Sequence, residues 1–202
     1  YASISNCYNT GAVSGSGDVG GVCGNNVGPI FNCYNTGAVR GDDTVGGVCG
    51  ETYGYIGNCY STGAVSGNNC IGGVCGYSSF SGTISNIYFD SEKCEKGAFG
   101  YFDQGTVTNV EGKTTAQFES GEVCYLLNGS TSTNPVWYQL LETENYPNLD
   151  STNSANRTVY QCTPCTGVYS NEANKSAEHS YVVNTNDSTK HPALVSISFK
   201  RK

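Results

Sequence analysis

The chain repeats itself every 26 residues, and no other feature limits its fold so tightly. Asn6-Cys7-Tyr8 returns as Asn32-Cys33-Tyr34 and Asn58-Cys59-Tyr60. Thr10-Gly11-Ala12-Val13 returns as Thr36 to Val39 and Thr62 to Val65. Val19-Gly20-Gly21-Val22-Cys23-Gly24 returns as Val45 to Gly50 and Ile71 to Gly76, with no insertion. A fixed period of this length marks a stacked-repeat architecture. Within each unit, short apolar or alternating runs lie between Gly- or Asn/Asp-rich corners: Ser14 to Asp18, Arg40 to Thr44 and Ser66 to Asn69. Such runs read as strands. One unit cannot bury its own apolar side, but stacked units give every strand a neighbour about 4.8 Å away and a continuous core.

The expected fold is therefore all-β: a parallel β-solenoid, or β-helix, of about three to four 26-residue coils. A mixed α/β C-terminal capping segment and a small β-like or flexible tail complete it. The coils span 1–90, in units of about 4–29, 30–55, 56–83 and a degenerate 84–90, where Ile84 to Phe89 echoes Ile4 to Asn9. Residues 91–150 form the capping segment. Thr114 or Thr115 opens a short helix near 114–128 that Gly121 divides, with Phe118, Val123, Leu126 and Leu127 at helical spacing. Residues 151–202 are a polar tail or the start of a further small β module. The opening residues begin partway through a repeat unit, so the sequence reads as a piece of a longer chain.

A constant period stacks like on like. Cys7, Cys33 and Cys59 form one file; Cys23, Cys49 and Cys75 form another; Tyr8, Tyr34 and Tyr60 form a third; Thr10, Thr36 and Thr62 form a fourth. Ile87 continues the first cysteine file in the degenerate unit, so that file points inward to an apolar site. The six stacked thiols are either small buried hydrophobes or a covalent zipper, since neighbours in such a stack lie within disulfide range. Cys70 falls outside both files and is the candidate for an irregular pairing or a free thiol.

Eleven cysteines in 202 residues point to an oxidising exterior, extracellular or on the cell surface; an anaerobic source is the other setting that tolerates so many thiols. A net charge of −7, with 10 Lys and Arg against 17 Asp and Glu, excludes nucleic acid as partner and opposes docking on anionic membranes. No apolar run is long enough for membrane insertion as a helix.

The NCYNTGAVSG and VGGVCG runs resemble the GLUG-type repeats of large bacterial surface proteins, with the glycine element at Gly21, Gly47 and Gly73. The stretch Lys113 to Gly129, with Trp137 and the YPNLD run from Tyr146, is similar to segments that close such arrays in gut Firmicutes proteins. The resemblance implies surface display and adhesion. It implies no catalytic residue, because such repeats are not the catalytic part of the secreted immunoglobulin A-specific metallopeptidases that also carry them.

The expected function is a structural or adhesive segment: a spacer, or a binding face for host mucin, glycan or matrix protein, attached to neighbouring domains of a longer chain. The Tyr8/Tyr34/Tyr60 and Thr10/Thr36/Thr62 files are the candidate face. Two alternatives stand beside it. A carbohydrate-active β-helix, lyase or glycosidase, requires carboxylates gathered in a groove. A zinc module in the tail would use Cys162 and Cys165, for which His179 and His191 lie at no finger-like spacing; a tight disulfide is the other reading of that pair. Asp18, Asp42, Asp43 and Glu51 are acidic corners with the ligand type, but not the motif, of a calcium loop. No cofactor is expected, and no catalytic constellation is visible.

Overall fold

The structure, a computed structural model, describes residues 2–79, 82–129, 135–139 and 144–149, and the backbone of 159–162 and 181–184. The chain divides into two compact units, Tyr1–Thr115 and Ala116–Lys202.

The first unit is a parallel β-solenoid of about four turns. Its first coil carries β1 (Ile4–Ser5), β2 (Tyr8–Asn9), β3 (Val13–Ser14), β4 (Val19–Gly20) and β5 (Cys23–Asn26). The second repeats them as β6 (Ile30–Phe31), β7 (Tyr34–Asn35), β8 (Val39–Arg40), β9 (Val45–Gly46) and β10 (Cys49–Thr52). The third holds β11 (Ile56–Ser61), β12 (Val65–Ser66), β13 (Ile71–Gly72) and β14 (Cys75–Ser78). The fourth holds β15 (Thr83–Asp90) and β16 (Phe99–Phe102), and β17 (Thr106–Lys113) begins a further turn. Equivalent strands pair in parallel, giving ladders β1-β6-β11-β15-β17, β3-β8-β12, β4-β9-β13 and β5-β10-β14-β16.

The register follows the sequence period. Val13 faces Val39 and Val39 faces Val65; Val19 faces Val45 and Val45 faces Ile71. Each coil bonds to the next: the amides of Val13 and Val39 donate to the carbonyls of Ala38 and Ala64 at 2.8 Å. The inward files make one core, with Ile30, Ile56 and Ile84, Val39, Val45, Val48 and Val74 among its buried members. Removing each such side chain from water contributes about 1.5–3 kcal/mol, and each coil realises that gain only against its neighbours.

The repeated asparagines explain the corners. Asn6, Asn32, Asn58, Asn86 and Asn109 all have φ of 50–54°, the left-handed region that Asn tolerates better than other non-glycine residues. Their amides stack: Nδ2 of Asn32, Asn86 and Asn109 donates to Oδ1 of Asn6, Asn58 and Asn86 at 3.3, 3.0 and 2.9 Å. The second asparagine of the motif does different work. Oδ1 of Asn9 and Asn35 accepts from the amides of Gly11 and Gly37, an Asx turn, and Asn9 Nδ2 donates to Asn35 Oδ1 at 2.8 Å. The Val-Gly-Gly element is a close approach: a Cβ on Gly46 would meet Cys75 Cα at 2.7 Å and Gly76 N at 2.8 Å.

The ladders run beyond Asp90, where the sequence repeat ends. Cys75 pairs with Phe99, Tyr77 with Tyr101, and β15 with β17 from Thr83↔Thr106 to Asp90↔Lys113. Residues 99–113, expected within the capping segment, are thus solenoid wall. Parallel pairing uses backbone groups, and this stretch keeps only what the geometry demands: Gly97-Ala98-Phe99-Gly100 stands for Gly73-Val74-Cys75-Gly76, and Asn109 for Asn86. Where β15 ends, the buried Asp90 carboxylate is fully engaged. It accepts from Thr115 Oγ1 at 2.7 Å and from the Glu92 amide at 3.0 Å, and pairs with Lys93 at 3.3 Å.

The second unit contains α1 (Thr115–Glu119), which starts on the last residue of the first unit, and α2 (Glu122–Leu127), separated by Gly121 at φ 82°. Phe118, Val123, Cys124, Leu127 and Trp137 are buried, and Tyr146 meets Phe118 edge-on at 6.1 Å. Asn128 clasps the Trp137 backbone, accepting from its amide at 3.0 Å and donating to its carbonyl at 2.9 Å. Strands β18 (Val159–Cys162) and β19 (Tyr181–Asn184) pair antiparallel. Side chains of the tail, and Cys165, His179 and His191 entirely, lie outside the described residues.

The asparagine corners carry a stability prediction. Asn58→Ala imposes about 1–2 kcal/mol of left-handed strain and loses the hydrogen bond that Asn58 Oδ1 accepts from Asn86, about 1 kcal/mol. Asn58→Gly loses only the bond. Urea denaturation should therefore rank wild type above Asn58→Gly above Asn58→Ala; equal midpoints for the two variants would refute the backbone explanation.

Candidate functional site

The two cysteine files run as the period requires. Cys49 pairs with Cys23 on one side and Cys75 on the other, and Cys59 pairs with Ile87, which pairs with Val110. Cys33, Cys49, Cys59 and Cys75 belong to the apolar core. Each thiol donates within its own coil, as Cys59 Sγ does to the Gly57 carbonyl at 3.2 Å. Nine described cysteines are free. Burial lifts the Cys124 thiol well above the ordinary range; bonding to Cys23 and Cys75, with burial, does the same to Cys49.

The tyrosine file stacks ring on ring, Tyr8 on Tyr34 at 5.1 Å and Tyr34 on Tyr60 at 5.0 Å, with the ring planes nearly parallel. It is not an open face of three rings. Tyr8 is 64% exposed, whereas Tyr34 and Tyr60 are 8% and 0% exposed. The threonine file shows the same gradient, from exposed Thr10 through half-buried Thr36 to buried Thr62. Period identifies which side chains share a file; it does not identify which side of the wall meets water.

A second group of aromatics lies on the outer side of β5-β10-β14-β16. The outward file there runs Asn25, Glu51, Tyr77, Tyr101. Tyr77 and Tyr101 stack at 5.0 Å with 10° between planes, and Tyr101 is 48% exposed. Tyr53 joins them, 43% exposed, its hydroxyl donating to Glu51 Oε1 at 2.6 Å. Asn25 Nδ2 donates to Glu51 Oε2 at 2.8 Å and to Asp18 Oδ2 at 3.0 Å, and the Thr44 hydroxyl donates to Asp18 Oδ1. Hydrogen bonds from Thr44 and Asn25 hold the Asp18 carboxyl below its usual range. The bond to Glu51 raises the Tyr53 phenol, and partial desolvation followed by Tyr101 and Asp103 raises Tyr77. The result is a patch of phenol hydroxyls, an amide and two carboxylates beside stacked rings. Sequence reading missed it because no residue of its file recurs at the 26-residue period; the Tyr77/Tyr101 pair is spaced 24 apart.

Of the acidic corners, Asp18 and Glu51 come together through Asn25, while Asp42 is elsewhere, accepting from Asn68 at 3.3 Å. Among the described residues no three metal-ligating side chains converge. Cys70, half-buried with φ 29°, lines an open cavity of about 240 Å³ with Asn68, Lys96 and Phe99. Among the described residues no helix is long and apolar enough to cross a membrane.

No protein-family model and no curated protein sequence matches the chain. In structure the chain is similar to a "putative immunoglobulin A1 protease" from Bacteroides ovatus, with a TM-score of 0.51 and 22% identity over 73% of this chain. That overlap covers 57% of the Bacteroides chain, so this chain spans little more than half of its relative. The likeness is one of fold.

Asp18 yields a titration prediction. Its lowered pKa means that its contribution to stability is present above the ordinary carboxylate value and is lost as pH falls through the folded value. Thr44→Val removes the largest cause of the shift, so the Asp18 carboxyl, followed by carbon-detected NMR titration, should move up toward its ordinary value. An unmoved titration would show that Thr44 does not hold it.

Proposed function

We propose that the chain is a binding segment of an extracellular bacterial surface protein, a stiff solenoid that carries the patch of Tyr53, Tyr77, Tyr101, Glu51, Asn25 and Asp18 toward a glycan or glycoprotein. The observation that carries this reading is the exposed Tyr101 stacked on the half-buried Tyr77, beside hydrogen-bonding carboxylates and an amide on a rigid sheet. Phenol rings offer apolar area at low entropic cost, and the polar rim fits hydroxyl groups. The resemblance of the repeats to GLUG-type arrays supports adhesion and surface display. Immunoglobulin A is an extracellular substrate, so the name of the structural relative accords with a place outside the cell. The solenoid presents or recognises a partner.

The test is a screen of the intact chain against mucins, matrix proteins, immunoglobulin A and a glycan array. The expected result is saturable binding that weakens at least about tenfold, about 1.4 kcal/mol, in Tyr77→Ser with Tyr101→Ser, with the fold retained by circular dichroism. Binding that survives the double substitution would move the site off this patch. Binding to none of them would remove the adhesive role and leave a spacer.

A further inference from the structure

The two cysteine files place three sulfurs in a row, one per coil, and the chemistry of such a row differs between its ends. Neighbouring coils hold their Cα atoms about 4.8 Å apart, inside the 4.4–6.8 Å window of disulfides; two coils apart lies beyond the roughly 7 Å limit. Cys49 lies directly opposite Cys23 on one side and Cys75 on the other, and Cys33 stands between Cys7 and Cys59 in the other file. The Cys33 amide also donates to Cys59 Sγ at 3.4 Å. Access is graded: Cys7 is exposed and Cys23 half-buried, whereas Cys33, Cys49, Cys59 and Cys75 are buried. We propose that each file is a modification site that takes up one disulfide at its first-coil end, Cys7–Cys33 and Cys23–Cys49, leaving Cys59 and Cys75 as thiols.

The oxidant is a small-molecule disulfide such as oxidised glutathione. In the second file the Cys23 thiolate attacks one sulfur of the small disulfide, forming a mixed disulfide and expelling one small thiolate. Cys49, losing its proton, then attacks the Cys23 sulfur, forms the Cys23–Cys49 bond and expels the second small thiolate. Two cysteine thiols are oxidised, one small disulfide is reduced to two thiols, and the two protons pass to those thiols. In the first file the exposed Cys7 receives the small disulfide and Cys33 resolves it. The neighbouring thiols bring Cys23 and Cys33 down to about 7, which supports both as nucleophiles. Once Cys33 is bonded to Cys7, Cys59 has no further cysteine of its file within disulfide reach, because Ile87 occupies the next position. The product suits its surroundings, because a disulfide is uncharged where a thiolate in this apolar core is costly. Its effect is to tie the first coil covalently to the second.

The experiment incubates the folded chain with oxidised glutathione, alkylates the remaining thiols after unfolding, and maps peptic peptides by mass spectrometry. The expected map contains Cys7–Cys33 and Cys23–Cys49, with Cys59 and Cys75 alkylated. Cys33→Val should abolish any bond in the first file, since Cys7 and Cys59 are then two coils apart; Cys59→Val should leave Cys7–Cys33 intact. Valine suits that position, which Ile87 and Val110 occupy in later turns. File thiols that stay reduced or remain as glutathione adducts, a Cys7–Cys59 bond, or bonds at Cys59 and Cys75 instead, would overturn the proposal. The wild-type map decides the matter even where a variant fails to fold.

Discussion

Everything in the solenoid depends on hydrogen bonding between one coil and the next in exact register. A coil of this size has no interior of its own, so its apolar side chains leave water only when another coil covers them. The backbone ladder sets the spacing, and the 26-residue period then forces each side chain onto its own kind. That rule selects the residues. Apolar files pack without conflict: Ile30 on Ile56 on Ile84. Polar files must consist of groups that both donate and accept, and the asparagine amide does both, as Asn86 does between Asn58 and Asn109. Like charges placed directly opposite destabilise a sheet, which accounts for the few charged residues among 1–89: Asp18, Arg40, Asp42, Asp43 and Glu51. Where charge enters the ladders it faces a neutral or an opposite partner: Arg40 lies between Ser14 and Ser66, and Asp90 faces Lys113.

The same rule explains what could be read from sequence. Repeated residues announce their files, so the parallel stack, the cysteine rows and the inward place of Cys59, marked by Ile87, were legible before any coordinates. Three features were not. Strands β16 and β17 keep the corner asparagine and the small residues but almost nothing else, so identity fades while the ladder persists. The tyrosine file looked like a face because period carries no information about lateral cover. The Tyr77/Tyr101 patch belongs to a file of four residues of three kinds, Asn25, Glu51, Tyr77 and Tyr101, and so left no periodic trace.

That contrast bears on function. Positions fixed by stacking repeat, and positions free of it vary; the face that varies is where a repeat protein can acquire specificity without disturbing its core. Asp18, Asn25 and Glu51 show how such a face stays ordered: one amide serves two carboxylates, and Thr44 and Tyr53 satisfy their remaining oxygens. The wall supplies rigidity, and the exposed side chains supply the chemistry.

Residue-resolved amide hydrogen exchange under native conditions tests the stacked-coil account most directly. Slow exchange is predicted to recur with the sequence period, at Val13 and Val39, at Val19 and Val45, and at Tyr34 and Tyr60, whose amides donate to the neighbouring coil, with protection weaker in the first coil than in the second and third. Fast exchange at Val39 and Val45, or protection in blocks that ignore the 26-residue spacing, would contradict it.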